Sequence, residues 1–131
     1  MTQQPFRIAV VCLGNICRSP MAHVVLEHQL AEAGLADQVV VTSAGTGDWH
    51  AGQPMDPRAA ATLARAGYDP SRHIARHFTM DWYAENDLLL AMDESNFADM
   101  SEQSPTVADI QKLRMFRAFD PEVSGSDLDV P

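Results

Sequence analysis

Two stretches, Phe6-Arg7-Ile8-Ala9-Val10-Val11 and Asp87-Leu88-Leu89-Leu90-Ala91-Met92, are almost continuously apolar. A strand with one face in water alternates apolar and polar side chains, because successive residues point to opposite faces. A strand without that alternation has both faces covered, the usual condition of a central strand in a parallel sheet. Val39 to Ser43, β-branched nearly throughout, reads as another strand. Between these runs the period becomes helical. Ala22, Val25, Leu26, Leu30 and Ala33 mark a helix over Pro20–Ala33, with Ser19 as cap, Pro20 in the first turn and Gly34 as stop. Asp56-Pro57 opens a second helix, with an inner face read as Ala60, Leu63, Ala64 and Gly67.

Further on, Thr79 to Tyr83 reads as a helical turn, and Asp93 or Ser95 caps a helix that runs to about Met100. Thr106 to Lys112 reads as a short helix. Leu113, Met115 and Ala118, interleaved with Arg114 and Arg117, read as a fourth strand nearer the sheet edge. Asp120 to Pro131 is acidic and loop-like. No repeat or linker interrupts the alternation, which predicts a single α/β domain over residues 1–131, a three-layer sandwich around a parallel sheet. The helices after the first three strands cover one face well and the other poorly. The expectation is therefore a natural protein that is longer, or a partner on the bare face.

Ligands of such sheets bind beyond the carboxyl ends of the strands. Cys12-Leu13-Gly14-Asn15-Ile16-Cys17-Arg18-Ser19 lies there, between the first strand and the first helix. A short strand-to-helix loop points its N–H groups into one space, where the helix dipole also favours an anion. Cys12 opens the loop and Arg18 closes it. A thiol in that setting ionises more readily, and the arginine fork matches two phosphoryl oxygens, with the amides of Leu13 through Arg18 for the rest. The expected chemistry is in-line attack by Cys12 on a phosphate ester, then hydrolysis of a phosphocysteine. Gly14 is expected to allow a tight turn and Asn15 to tolerate a left-handed backbone. Ser19 reads equally well as a helix cap or as a hydrogen-bond partner of the Cys12 sulfur. Cys17 reads as a small buried residue or as the partner of Cys12 in a reversible, protective disulfide.

Charge bounds the partners. Eighteen acidic residues against nine Lys plus Arg give a net charge of -9, which argues against nucleic acid or an anionic membrane. The N-terminal Met1-Thr2-Gln3-Gln4-Pro5 lacks the regions of a signal peptide, and a cytoplasmic protein is expected. Two cysteines make neither a disulfide framework nor an all-cysteine zinc site, and the five histidines show no strong ligand spacing. No metal or cofactor is expected.

The segment Cys12 to Pro20 resembles the signature loop of the low-molecular-weight protein tyrosine phosphatases. Thr42-Ser43-Ala44-Gly45-Thr46 with Trp49, His73-Ile74-Ala75-Arg76, Ala91-Met92-Asp93 and Phe119-Asp120-Pro121 extend the resemblance over nearly the whole chain. It implies a four-stranded parallel sheet of order 2-1-3-4 flanked by helices, and hydrolysis of phosphotyrosine in protein substrates. It also implies that Asn15, Ser43 and His73 form a network fixing the loop and that Trp49 lines the substrate cleft. The family's general acid is the aspartate of an Asp-Pro-Tyr segment near the C-terminus. This sequence reads Asp127-Leu128-Asp129-Val130-Pro131, so neither Asp129 nor Asp120 matches it, and the acid loop and last helix are expected beyond Pro131. Loss of a positioned acid typically costs about 10²–10⁴-fold.

Three other functions compete. Arsenate reduction would pass a disulfide to further cysteines, and none follows Cys17. Arginine phosphatases of this scaffold resemble the loop but carry threonine where Ile16 stands. A phosphate-binding or inactive phosphatase-like module is the alternative from another class.

Overall fold

The computed structural model describes residues 4–122 and 128–130. β1 (Phe6–Cys12), β2 (Val39–Gly45), β3 (Leu88–Ala91) and β4 (Leu113–Met115) form one sheet of order β2-β1-β3-β4. Every neighbouring pair is parallel, with Val10 opposite Ser43 on one side and Leu90 on the other. This is the expected strand order, with β1 central.

Alternation along β1 separates two cores. Ala9 and Val11 face a cluster with Phe78, Tyr83, Leu89, Met100 and Leu113, beneath α3 (Asp81–Glu85) and α4 (Glu94–Glu102). Val10 and Cys12 face Leu90 and Met92 on the other side, packed by Ala22 and Leu26 of α1 (Arg18–Glu32) and by Phe116 and Val130. The apolar runs lack alternation because both faces are covered. Over β3 that second cover comes from Phe116 and Val130 among the described residues, where the sequence led us to expect a helix.

α2 (Pro57–Arg65) turns the expected Leu63 and Ala60 inward and differs from expectation at its other two positions, Ala64 and Gly67, which are exposed. Ala59 and Leu63 are buried with Met55, and Ala64 is exposed, because α2 packs on Met21, Val24 and Val25 of α1. Asp56 caps α2, accepting from the N–H groups of Arg58 and Ala59. The fourth strand is shorter than read. It ends at Met115, and Phe116–Phe119 forms a 3-10 turn that carries Ala118 off the sheet. Of the acidic stretch from Asp120 to Pro131, residues 123–127 and 131 lie outside the described residues. No described helix is long and apolar enough to cross a membrane.

Candidate active site

β1 ends at Cys12 and α1 begins at Arg18, so the loop between them sits at the carboxyl edge of the sheet. Its carbonyls are turned outward and held there. Cys12 O accepts from Thr46 N–H at 2.9 Å and Leu13 O from Gly47 N–H at 2.9 Å. Asn15 O accepts from His73 Nε2 at 2.6 Å, and Ile16 O from Asp56 N–H at 2.9 Å. With the carbonyls facing away, the intervening N–H groups line the concave side. The first turn of α1 has no side-chain cap and no acidic residue, so its amides add to the same positive field.

Cys12 is buried, and its Sγ has two polar neighbours. The Asn15 N–H donates to it at 3.3 Å and Ser19 Oγ lies at 3.0 Å. Asn15 Nδ2 donates to Ser19 Oγ at 2.8 Å, so the Ser19 hydroxyl proton is free for an acceptor, with the Cys12 sulfur at 3.0 Å and the Ala44 carbonyl at 3.4 Å both in reach. Ser19 therefore serves Cys12, and not as a helix cap: it lies inside the first turn of α1.

Asn15 is the knot of the loop. It is fully buried and takes a left-handed backbone with φ of 56°. Its Oδ1 accepts from the Arg76 N–H at 2.9 Å, while its carbonyl holds His73. A carbonyl has no proton to give, so His73 carries its own on Nε2. Burial pushes the His73 pKa below its ordinary value, with the hydrogen bond to Asn15 opposing.

Gly14 has a different constraint from the tight turn expected. Its φ is not positive, and a Cβ there would meet His50 Cδ2 at 3.0 Å. At Gly45 a Cβ would sit 2.6 Å from Leu13 O and 2.9 Å from the Gly14 carbonyl carbon, so β2 forms a floor directly against the loop.

Arg18 is anchored at one end. Its Nη1 donates to Asp93 Oδ2 at 2.8 Å and to Val130 O at 3.0 Å, and the guanidinium lines the cleft. Asp93 keeps a pKa below the ordinary range. Burial alone would raise it, but the N–H of Asn96 and the Arg18 guanidinium outweigh that effect. Asp129 Oδ1 accepts from the Glu94 N–H at 2.9 Å, Arg117 Nη1 donates to Asp129 O at 2.7 Å, and Val130 N–H donates to Met92 O at 2.7 Å. These bonds strap residues 129–130 beside Arg18.

The cleft over Cys12 has a volume of about 240 Å³, walled by Leu13, Trp49 and His50. Trp49 is 60% exposed, an apolar surface left open at the mouth. Cys17 also lines the cleft, as a free thiol whose pKa is raised by burial and by the nearby Asp56 and Cys12.

The structure thus brings together Cys12, the loop Leu13–Ser19, Arg18, Asn15, His73 and Trp49. Ser43 is placed differently. Its Oγ meets His23 Nδ1 at 3.0 Å, and His23 Nε2 reaches Glu27 at 3.2 Å. Ser43 therefore belongs to a hydrogen-bonded line running away from the loop. Sequence reasoning missed Arg76, whose contribution is a backbone N–H, and His50. It read Asp93 as a helix cap without its bond to Arg18. No group of three or more His, Cys, Asp or Glu among the described residues is placed to hold a metal.

Residues 7–131 match the family model described as low molecular weight phosphotyrosine protein phosphatase. The chain is 45% identical over 126 residues to a low molecular weight protein-tyrosine-phosphatase of Streptomyces coelicolor, covering 96% of this chain and 76% of that protein. It is equally 45% identical to low molecular weight protein-tyrosine phosphatase A of Mycobacterium tuberculosis, over 96% of this chain and 74% of the relative. Among solved structures, YfkJ from Bacillus subtilis superposes with a TM-score of 0.91 at 28% identity, covering 98% of this chain and 79% of that one. A protein tyrosine phosphatase from Entamoeba histolytica, solved with Hepes in its active site, gives 0.87 at 29% identity over 93% and 77%. The chain belongs to the low molecular weight protein-tyrosine phosphatase family.

Proposed function

We propose that this chain hydrolyses phosphotyrosine in protein substrates, with Cys12 as nucleophile and the loop Leu13–Ser19 as the phosphate cradle. One observation carries this assignment: the outward bonding of four loop carbonyls, which leaves a nest of amides above a buried thiol. In the first step the Cys12 sulfur attacks phosphorus in line, the P–O bond to the tyrosine breaks, and the phenolate leaves. In the second, water attacks the phosphocysteine, and the sulfur departs as phosphate is released. Arg18, steadied by Asp93, holds two equatorial oxygens, and the amides hold the rest. Ser19 and the Asn15 N–H stabilise the sulfur as attacking and as leaving group. Asn15 and His73 keep the carbonyls turned out, and Trp49 offers an apolar wall to the aromatic ring. No step uses a metal or cofactor. A reducing compartment such as the cytoplasm keeps Cys12 a free thiol.

p-Nitrophenyl phosphate, whose leaving group needs no proton, isolates these residues' contribution. Cys12→Ser should reduce its turnover to background while the folded protein still binds phosphate. Acid quench of the unsubstituted enzyme should trap phosphate on Cys12. Turnover surviving in Cys12→Ser would overturn the assignment, and binding without turnover in the unsubstituted chain would favour a phosphate-binding module.

A further inference from the structure

Arg18 carries a planar fork of N–H donors, and part of it is used on the protein itself. Nη1 is fully engaged: one proton goes to Asp93 Oδ2 at 2.8 Å and the other to Val130 O at 3.0 Å. Nη2 and Nε remain, and together they make one edge of the fork, the kind that matches two phosphoryl oxygens. Held by Asp93 alone, the guanidinium would pivot about a single bond. A second acceptor on Nη1 fixes which edge is left for the anion. Val130 O is that acceptor, so the placing of one main-chain carbonyl bears on the chemistry.

Val130 O is placed by the peptide group before it. The Asp129–Val130 peptide is rigid and trans, so its C=O and N–H leave from opposite edges. Both edges are held. Asp129 O accepts from Arg117 Nη1 at 2.7 Å, and the Val130 N–H donates to Met92 O at 2.7 Å. The Val130 side chain packs with Val10, Cys12, Leu90 and Met92. With the peptide and the side chain both fixed, the next carbonyl along the chain is delivered to Arg18. Met92 directly follows β3 and is part of the sheet's fixed edge. Arg117 comes from the 3-10 turn Phe116–Phe119, where it is half-buried. The Glu94 N–H holds the Asp129 carboxylate and leaves the peptide plane to Arg117 and Met92.

We propose that Arg117 is a positioning residue for this reaction: it pins the Asp129–Val130 peptide, and through Val130 O it sets the edge of Arg18 that receives the phosphoryl group. The consequence for catalysis rests on the assignment of Cys12 and Arg18 above; the pinning does not.

A double-mutant cycle with Arg18 tests the proposal. Arg117→Met keeps the packing of the stem and removes the donor. It should lower kcat for p-nitrophenyl phosphate about fivefold and leave KM within about twofold, a modest coupling within one hydrogen-bond network. Arg117→Lys should recover part of the loss, because an ammonium also donates to a carbonyl. In Arg18→Ala protein the same Arg117→Met change should cost less than about twofold, since the group it positions is gone. Equal losses in the two backgrounds would assign Arg117 a purely structural role and overturn the proposal, as would full activity in Arg117→Met. Amide exchange separates this from failure of the catalytic reading. In Arg117→Met the Val130 N–H should exchange about tenfold faster, the scale of losing one charged hydrogen bond, while the Asn96 N–H of α4 is unchanged. A chain without turnover that still shows this change supports the pin and faults the catalytic assignment. Exchange at Val130 indifferent to Arg117 overturns the pin.

Discussion

α1 and α4 start beyond the carboxyl ends of adjacent strands, β1 and β3, and each presents unpaired amides to the same edge of the sheet. The two ends are finished in opposite ways. At α4 the chain supplies its own anions: Asp93 Oδ1 accepts from Asn96 N–H at 2.7 Å and Asp129 Oδ1 from Glu94 N–H at 2.9 Å. At α1, Cys17 occupies the cap position and offers no side-chain acceptor, and the first turn holds no acid. Open helix N-termini attract anions wherever they occur. A helix end closed by the chain's own carboxylates is a structural joint, whereas one left open is a place for a guest. Asp93 connects the two, one oxygen on the α4 amide and the other on Arg18.

The sharpest way to test this contrast is to remove the cation at the open end. Arg18→Ala should lower kcat/KM for p-nitrophenyl phosphate by roughly 10²–10³-fold, as for loss of one preorganised transition-state donor. Arg18→Lys should recover part of it, since an ammonium supplies charge without the fork. A loss below tenfold in steady-state kinetics would break the assignment.

Next in size is the shared residue. Asp93→Ala should cost roughly 1 kcal/mol of unfolding stability as the α4 cap is lost. It should also cost roughly tenfold in kcat/KM as Arg18 is released. Asp93→Asn separates the two, since an amide oxygen still caps the helix while the charge pairing with Arg18 is gone. Stability retained with activity reduced is the expected pattern in denaturant melts and kinetics.

A smaller change would make the open end resemble the closed one. Cys17→Asp puts a carboxylate at the α1 cap, where it competes with a bound phosphoryl group. Inhibition by inorganic phosphate should weaken roughly two- to fivefold, the scale of one charge at a helix terminus. An unchanged inhibition constant would show that the dipole contributes nothing here.

The smallest effect is on the pH dependence of stability. Burial depresses His23 and His73 below their ordinary value of 6.5. The unfolded chain therefore binds protons that the native state refuses, so stability is full above that value and declines as pH falls through the folded pKa values. Asp93 acts lower. Its pKa lies below the ordinary 3.8, so its contribution is present above that value and lost as pH falls further. Denaturation midpoints should decline in two stages on acidification, and His73→Gln should flatten only the upper one.

Much of this was legible from the sequence because it is local. The unalternating strands, the Asp56 and Asp93 caps and the Cys12–Arg18 spacing each declare themselves within a few residues. Asn15 was legible as a left-handed residue for the same reason. What escaped depends on chain closure over long separations. The bond from Arg76 N–H to Asn15 uses no side chain of Arg76, so residue type carries no signal. Asp93 to Arg18 and Arg18 to Val130 span 75 and 112 positions. Ser43 was expected in the Asn15 network, but β2 aims its hydroxyl at His23 on α1. On α2 the expected Ala60 and Leu63 do face inward, while Ala59 takes the place read for Ala64 and Gly67 because α2 packs on α1.

The floor that Gly45 lays beneath the loop has a thermodynamic corollary. Leu13 and Gly14 rest against the end of β2, and Asn15 is gripped by residues 73–76, so the anion-ready loop requires β2 and that segment to be in place. An oxyanion that recognises this arrangement and not the unfolded chain is then a ligand for the fold as well as for the site. At a hundred times its dissociation constant it adds about 2.7 kcal/mol to the unfolding free energy, distributed over contacts that the ligand never touches.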